Sequence, residues 1–228
     1  MASALATEDP SIQRAWQAFT AHLPTMAVLW LAVIALSGLG LALGKIAEMI
    51  AGTIFPISRE SGDGAVLLQA IGQLAQMPFA IVSSLVYVLF FSIPAQYYDS
   101  GEVVTPGQAF SQLLQDPFRY LLAGAVFNLA VLIGTLFCII PGLLISFVMP
   151  IYVNRIFLTR QTVVDALRVS FHTVYRTPNG PPFVGMQIMV GLIVFLAALC
   201  SCGLGAFIAI PVSAFYIQND AYCKGLIR

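Results

Sequence analysis

Charge is what this chain has least of. Lys, Arg, Asp and Glu make up 9% of its 228 residues, ten basic against ten acidic, where an ordinary soluble domain carries about 25%. With 59% apolar residues and a mean hydropathy of +0.91, polar side chains are too few to cover a water-soluble surface. The same figures exclude disorder, which goes with much charge and little apolar content. A net charge of zero argues against nucleic acid as a partner, because neutralising phosphates takes a basic face. Histidine and cysteine are scarce as well, at two and four. A metal centre wants three or four ligands, and paired haem ligation wants two imidazoles at one depth. His22 and His172 are both expected as polar side chains at the cytoplasmic membrane boundary, so no metal or other cofactor is expected.

What is abundant is long apolar sequence. A helix needs about 20 mostly apolar residues to cross a hydrocarbon layer of about 30 Å. Leu23 to Gly44 supplies one such span and Ile71 to Ala95 a second. Tyr120 to Met149 is too long for one crossing and reads as two helices, about 119–140 and 142–157, turning at Pro141-Gly142. Phe183 to Gln218 repeats that layout, with Ser201-Cys202-Gly203 as its turn. The expected fold is therefore all-α and integral to the membrane, with six transmembrane helices in three hairpins. The first span does not read as a cleavable signal peptide, since Glu8 and Asp9 precede it where a basic region belongs.

Basic residues set the expected orientation. Arg14, Arg119, Arg155, Arg160, Arg168, Arg176, Lys224 and Arg228 fall on one side of a six-span arrangement, and only Lys45 and Arg59 on the other. Both termini are accordingly expected in the cytoplasm of a bacterial plasma (inner) membrane.

An internal repeat organises the chain as a single membrane domain, 1–228. At an offset of 61, Pro117 falls on Pro178, Gly124 on Gly185, Gly142 on Gly203 and Pro150 on Pro211. The segments Ser11 to Trp16, Thr105 to Phe110 and Thr162 to Leu167 share one pattern: hydroxyl, two residues, polar, alanine, large apolar. A Ser or Thr there accepts from the free N–H groups of a first helical turn. The apolar residues that follow recur at helical spacing, so each segment predicts a short amphipathic helix on the cytoplasmic surface. The units run about 11–95, 105–158 and 162–220, the first with an insertion at about 45–70.

Cys-Ile-Ile-Pro-Gly at 138–142, Pro150, the segment Thr162 to Tyr175, Pro211 and Ala221-Tyr222 together resemble a known bacterial group. It comprises uncharacterised multi-pass membrane proteins of the YciC-like kind and the membrane domain appended to some glycerophosphodiester phosphodiesterases. The resemblance covers roughly residues 80 to 225 and implies a six-helix inner-membrane protein with no agreed activity. No phosphodiesterase catalytic domain is present, so that chemistry does not carry over.

Candidate functional residues are few. The spans hold no ionisable residue away from their ends, which argues against proton-coupled transport and catalysis. Asn128 is the most deeply placed strongly polar side chain, read first as an interhelical hydrogen bond and second as a ligand contact. Gln73, Gln76 and Gln187 are read the same way. Cys138 facing Cys200 or Cys202 offers a possible staple between hairpins, against the commoner reading of free, small, buried cysteines. Gly40 with Gly44, Ala130 with Gly134, and Gly205 with Ala209 are small pairs suited to close helix packing. Pro150 and Pro211, like Pro78 and Pro94, are expected to kink helices. Arg14 beside Trp16, with Arg155, Arg160, Arg168 and Arg176 about the third surface helix, make a candidate face for anionic lipid headgroups. The leading expectation is a non-enzymatic scaffold, assembly factor or accessory subunit that packs against lipids, other membrane proteins or its own copies. The alternative is a channel or transporter for a neutral or lipid-like solute.

Overall fold

A computed structural model describes residues 3–54 and 62–227; Arg59 and Arg228 lie outside them. The described residues are helical almost throughout and contain no strand. After a 3-10 turn at Ala4–Thr7, the helices are α1 (Ile12–Ala21), α2 (Leu23–Ile54), α3 (Gly62–Ser100), α4 (Pro106–Gln115) and α5 (Pro117–Phe137). The rest are α6 (Ile139–Ser146), α7 (Met149–Leu158), α8 (Val163–Arg176), α9 (Gly180–Cys200) and α10 (Ala206–Cys223). α2, α3, α5 and α9 are long and apolar enough to cross a membrane, and α6 with α7 makes a fifth if the bent pair is one span. α10 falls outside that set, its last turns being occupied by the polar run Gln218, Asn219 and Asp220.

The chain forms two compact units, Val28–Tyr87 and the remainder. In Val28–Tyr87, α2 and α3 approach closely where the glycines lie. A Cβ on Gly44 would stand 2.5 Å from Gln76 Nε2 and 2.9 Å from the Gly72 carbonyl. Ser37 and Ser83 meet through their hydroxyls at 3.2 Å. The insertion expected at 45–70 is mostly helix, because α2 runs on to Ile54 and α3 starts at Gly62. Its first turn carries an exposed ion pair, Lys45 Nζ to Glu48 Oε2 at 2.7 Å.

In the larger unit, the three hydroxyl-led segments are the helices α1, α4 and α8. Ser11 accepts from the Arg14 N–H at 3.2 Å. Thr105 forms a reciprocal capping box with Gln108, and Thr162 accepts from the Asp165 N–H at 3.2 Å. Each cap satisfies one of the orphan donors of a first turn, worth about 0.5–2 kcal/mol. Each helix buries its small residues, Ala15, Ala18, Ala109 and Ala166 among them. Ile12, Leu114 and Val164 remain exposed.

The turn expected at Pro141-Gly142 sits elsewhere. α5 ends and α6 begins at a single extended residue, Cys138 (φ −173°, ψ 152°). Pro141 falls in the first turn of α6, where its missing N–H was an orphan anyway. Gly142 is buried in α6 against α5, and a Cβ there would collide with Thr135 Oγ1. Gly134, from the expected small pair, faces Gly142 across the same contact. The second break comes at Phe147-Val148, where α6 and α7 meet at about 40°. Pro150 opens α7, and it has no N–H to give the Ser146 carbonyl at this break.

Between α9 and α10 the turn expected at Ser201 to Gly203 is present. Gly203 donates to the Ala198 carbonyl at 2.7 Å and Cys202 to Leu199 at 3.3 Å, the paired bonds of a Schellman motif. Its left-handed residue is Cys202 (φ 52°), followed by Gly203 (φ 92°). Gly142 and Gly203, aligned by the 61-residue offset, thus have different jobs: helix contact in one, turn in the other. Pro211 lies inside α10, which continues through it.

α5 and α7 pack through aromatic pairs, Tyr120 on Phe157 with centroids 4.4 Å apart and Phe127 on Tyr152 at 5.4 Å. The Tyr152 hydroxyl donates to the Ala123 carbonyl at 2.9 Å. Arg119, in the first turn of α5, donates to the carbonyls of Thr159 and Gln161 at 2.6 and 3.0 Å, fixing the chain's approach to α8.

Candidate functional site

Polar chemistry gathers at several places in the larger unit. The first is the exposed face of α8. Arg168, His172 and Arg176 are spaced four apart and so stand in one row; Phe171 and Tyr175 make a second row beside it, their rings 6.1 Å apart. The five residues line a shallow groove of about 380 Å³. Tyr175 is anchored by donating its hydroxyl to the Leu144 carbonyl of α6.

The other basic candidates are dispersed. Arg160 is exposed in the α7–α8 connection. Arg155 belongs to the last turn of α7, half-buried, with its Nε enclosed and without a partner. Arg14 is half-exposed and engaged by Glu8 at 3.0 Å and by the Asp9 carbonyl at 2.8 Å, while Trp16 is 47% exposed. Of the six residues proposed for a lipid face, Arg168 and Arg176 share the α8 groove.

The second place is His22, expected at the boundary and found fully buried. It follows α1 and precedes α2. Its Nδ1 lies 2.7 Å from the Ala18 carbonyl, and its Nε2 lies 3.1 Å from the Val104 amide nitrogen. An amide can only donate, so Nε2 accepts, and the neutral ring's proton resides on Nδ1. Tyr97 meets the ring edge-on at 5.0 Å and Phe215 lies at 5.1 Å. Burial lowers the imidazole pKa below the ordinary value, outweighing the bond to Ala18 that favours the charged form.

The third is a cavity of about 140 Å³ among α3, α6, α7, α9 and α10, lined on its polar side by Ser146, Gln187, Ser213 and Gln218. Gln187 is buried and its Nε2 donates to the Phe147 carbonyl at 3.0 Å. That is the interhelical role expected of it, satisfying backbone at the α6–α7 bend. Gln218 is 2% exposed, and its Nε2 has no hydrogen-bond partner. Such a group costs about 1–3 kcal/mol when left unmet.

The fourth is Asn128, beside the midpoint of α5. It is exposed and finds no hydrogen-bond partner among the described residues, so the expected bond to a neighbouring helix of this chain is not made. It shares its outward face with Leu132, 56% exposed. Gln73 is exposed as well, and Gln76 half-buried.

All four cysteines are free and exposed. No staple joins Cys138 to Cys200 or Cys202, nor are these residues buried packing elements. Among the described residues no cluster of three or more His, Cys, Asp or Glu could hold a metal ion.

Sequence reasoning overlooked a buried polar cluster around the end of α10. Asn154 donates to the Tyr222 hydroxyl at 2.9 Å. Asn219 reaches the Glu8 carbonyl at 3.2 Å, and Asp220 pairs with Lys224 at 2.6 Å. The signal available was the density of amides and acid at 218–220, where an apolar span was fading. Comparison with protein-family models, curated proteins and solved structures finds no match to this chain.

Proposed function

We propose that this chain is a non-enzymatic, multi-pass membrane protein that works as a scaffold, assembly factor or accessory subunit of a membrane complex. The observation that carries the reading is Asn128: an unpartnered carboxamide, mid-helix, on the outward face of an apolar helix. An amide turned toward hydrocarbon is unfavourable, and a facing helix from another chain relieves it by hydrogen bonding. Its donor and acceptor are self-complementary, so a second copy of this chain can serve as well as a different membrane protein.

The reading includes six spans in three hairpins, each preceded by a cytoplasmic amphipathic helix, in a bacterial inner membrane with both termini in the cytoplasm. It also includes kinship with the YciC-like group. In that orientation α8 lies at the cytoplasmic surface, and its Arg168–His172–Arg176 row meets anionic headgroups. A second reading, a channel or transporter for a neutral or lipid-like solute, draws its support from the cavity at Gln218.

Purification from the native membrane into nanodiscs, with mass spectrometry of what is retained, tests the first reading. Wild type is expected to carry a stoichiometric membrane partner or a fixed number of its own copies, and Asn128→Leu to lose it. A wild-type chain that is always solitary would overturn the scaffold reading.

A further inference from the structure

We infer that the cavity at Gln218 binds the uncharged, oxygen-bearing head of an amphiphile, such as the hydroxyl and ester group of an acylglycerol. The inference is independent of the scaffold reading, since a bound amphiphile is compatible with a partner-binding role or a transport role. It begins with the account of donors and acceptors on the cavity wall. Gln218 is buried, and its Nε2 donates to nothing. The Ser146 hydroxyl donates to the Gly142 carbonyl at 3.0 Å and that of Ser213 to Ile210 at 2.7 Å. Their oxygens therefore keep lone pairs available to a ligand. Gln187 commits a proton to Phe147 at 3.0 Å, which leaves its Oε1 as a further acceptor. The wall thus offers one unmet amide donor among several acceptor oxygens.

Among the described residues no charged side chain lines the cavity, so neither an anion nor a cation would be compensated there. A neutral group that both accepts and donates fits: its oxygen takes the Gln218 proton, and its O–H is received by a serine or Gln187 oxygen. The remaining wall is apolar, with Phe91, Met149 and Ile217 suited to the first methylenes of a chain. At about 140 Å³ and not sealed, the space is below the roughly 300–1,000 Å³ of pockets that enclose a whole drug-sized ligand. A head group fits inside, and its hydrocarbon tail leaves through the opening. The rival occupant is a small group of waters, which cavities with polar walls commonly hold.

The test uses the full chain in phosphatidylcholine nanodiscs with radiolabelled 1-monooleoylglycerol as the probe. Saturable binding of about one probe per chain is expected, weakened roughly tenfold in Gln218→Leu, as the loss of one hydrogen bond implies. Ala214→Leu, which fills the cavity and leaves the amide in place, is expected to abolish binding. Hexadecane, with no oxygen, is expected not to compete. Thermal melts of both variants show whether the fold is kept; Gln218→Leu removes an unmet polar group and is expected to melt no lower than wild type. Absence of saturable binding means that the cavity holds water only and overturns the inference, as does binding that both folded variants retain. Retention of a partner, read on the Asn128→Leu variant, reports separately on the scaffold reading.

Discussion

His22 accepts the Val104 N–H through Nε2 at 3.1 Å, and three residues further on Thr25 donates its hydroxyl to the Val104 carbonyl at 2.8 Å. Both polar groups of one peptide residue are thereby satisfied by side chains from the α1–α2 junction. Protonating Nε2 would turn the acceptor into a donor facing another donor. The folded state thus favours the neutral ring and holds the imidazole pKa below its ordinary value. Below about 6.5 the unfolded chain binds the proton that the folded one resists. Stability is therefore full above about pH 6.5 and falls as pH drops toward the lowered folded value. Melting temperature measured from pH 5 to 8 is expected to show this slope, and His22→Gln to flatten it. An unchanged slope in the variant would assign the pH dependence to other groups.

Gly142 predicts a steric effect with its own control. Its missing Cβ is what lets α6 lie against Thr135, so Gly142→Val is expected to cost about 1–3 kcal/mol or more through overpacking. Gly124 has open space at the same atom, and Gly124→Ala is expected to gain up to about 1 kcal/mol of helix propensity. Thermal unfolding of both in one detergent checks the opposite signs.

Cys202 is a non-glycine residue in left-handed backbone (φ 52°), a conformation that costs an L-residue roughly 1–2 kcal/mol. Cys202→Gly is expected to raise the melting temperature, with a gain of about 0.5–1 kcal/mol. A lower melting temperature would mean that the thiol contributes packing that its exposure conceals.

The groove on α8 makes a prediction about lipid composition. In nanodiscs of mixed phosphatidylglycerol and phosphatidylcholine, wild type is expected to enrich the anionic lipid. Arg168→Gln with Arg176→Gln is expected to lose about 1 kcal/mol per cation of that preference, and high salt to weaken it in wild type. Equal lipid ratios around wild type and the double variant would remove the groove from lipid recognition.

Cysteine exposure offers a direct reading of topology. All four thiols are free and exposed, so a membrane-impermeant maleimide applied to intact cells reports sidedness. Under the proposed orientation Cys138, Cys200 and Cys202 react from outside and Cys223 does not. Reaction of Cys223 alone would invert the arrangement.

Much of the architecture was legible because helices in lipid are specified by simple signals. The apolar runs marked α2, α3, α5 and α9, and a hydroxyl before an amphipathic segment marked α1, α4 and α8. What escaped was whatever depends on which face meets which neighbour. Asn128 looked like an interhelical bond because depth can be read from sequence and direction cannot. His22 looked interfacial because adjacency to a span says nothing of the Val104 backbone, 82 residues away. Pro141-Gly142 attracted the turn because proline and glycine punctuate chains, yet proline is equally at home in a first helical turn and glycine at a close contact. The Gln218 cavity had no sequence signature, since five helices build it.

The brevity of α6 bears on how the protein is made. Eight residues rise only about 12 Å, less than half of a hydrocarbon layer, so α6 is unable to partition into lipid by itself during synthesis. Under the proposed membrane placement it leaves the insertion channel together with α5, to which one residue ties it, or waits until α7 has emerged. In that placement, a chain that has delivered residues only as far as 146 to the channel stays there, and release into the bilayer follows once the ten residues of α7 have entered as well.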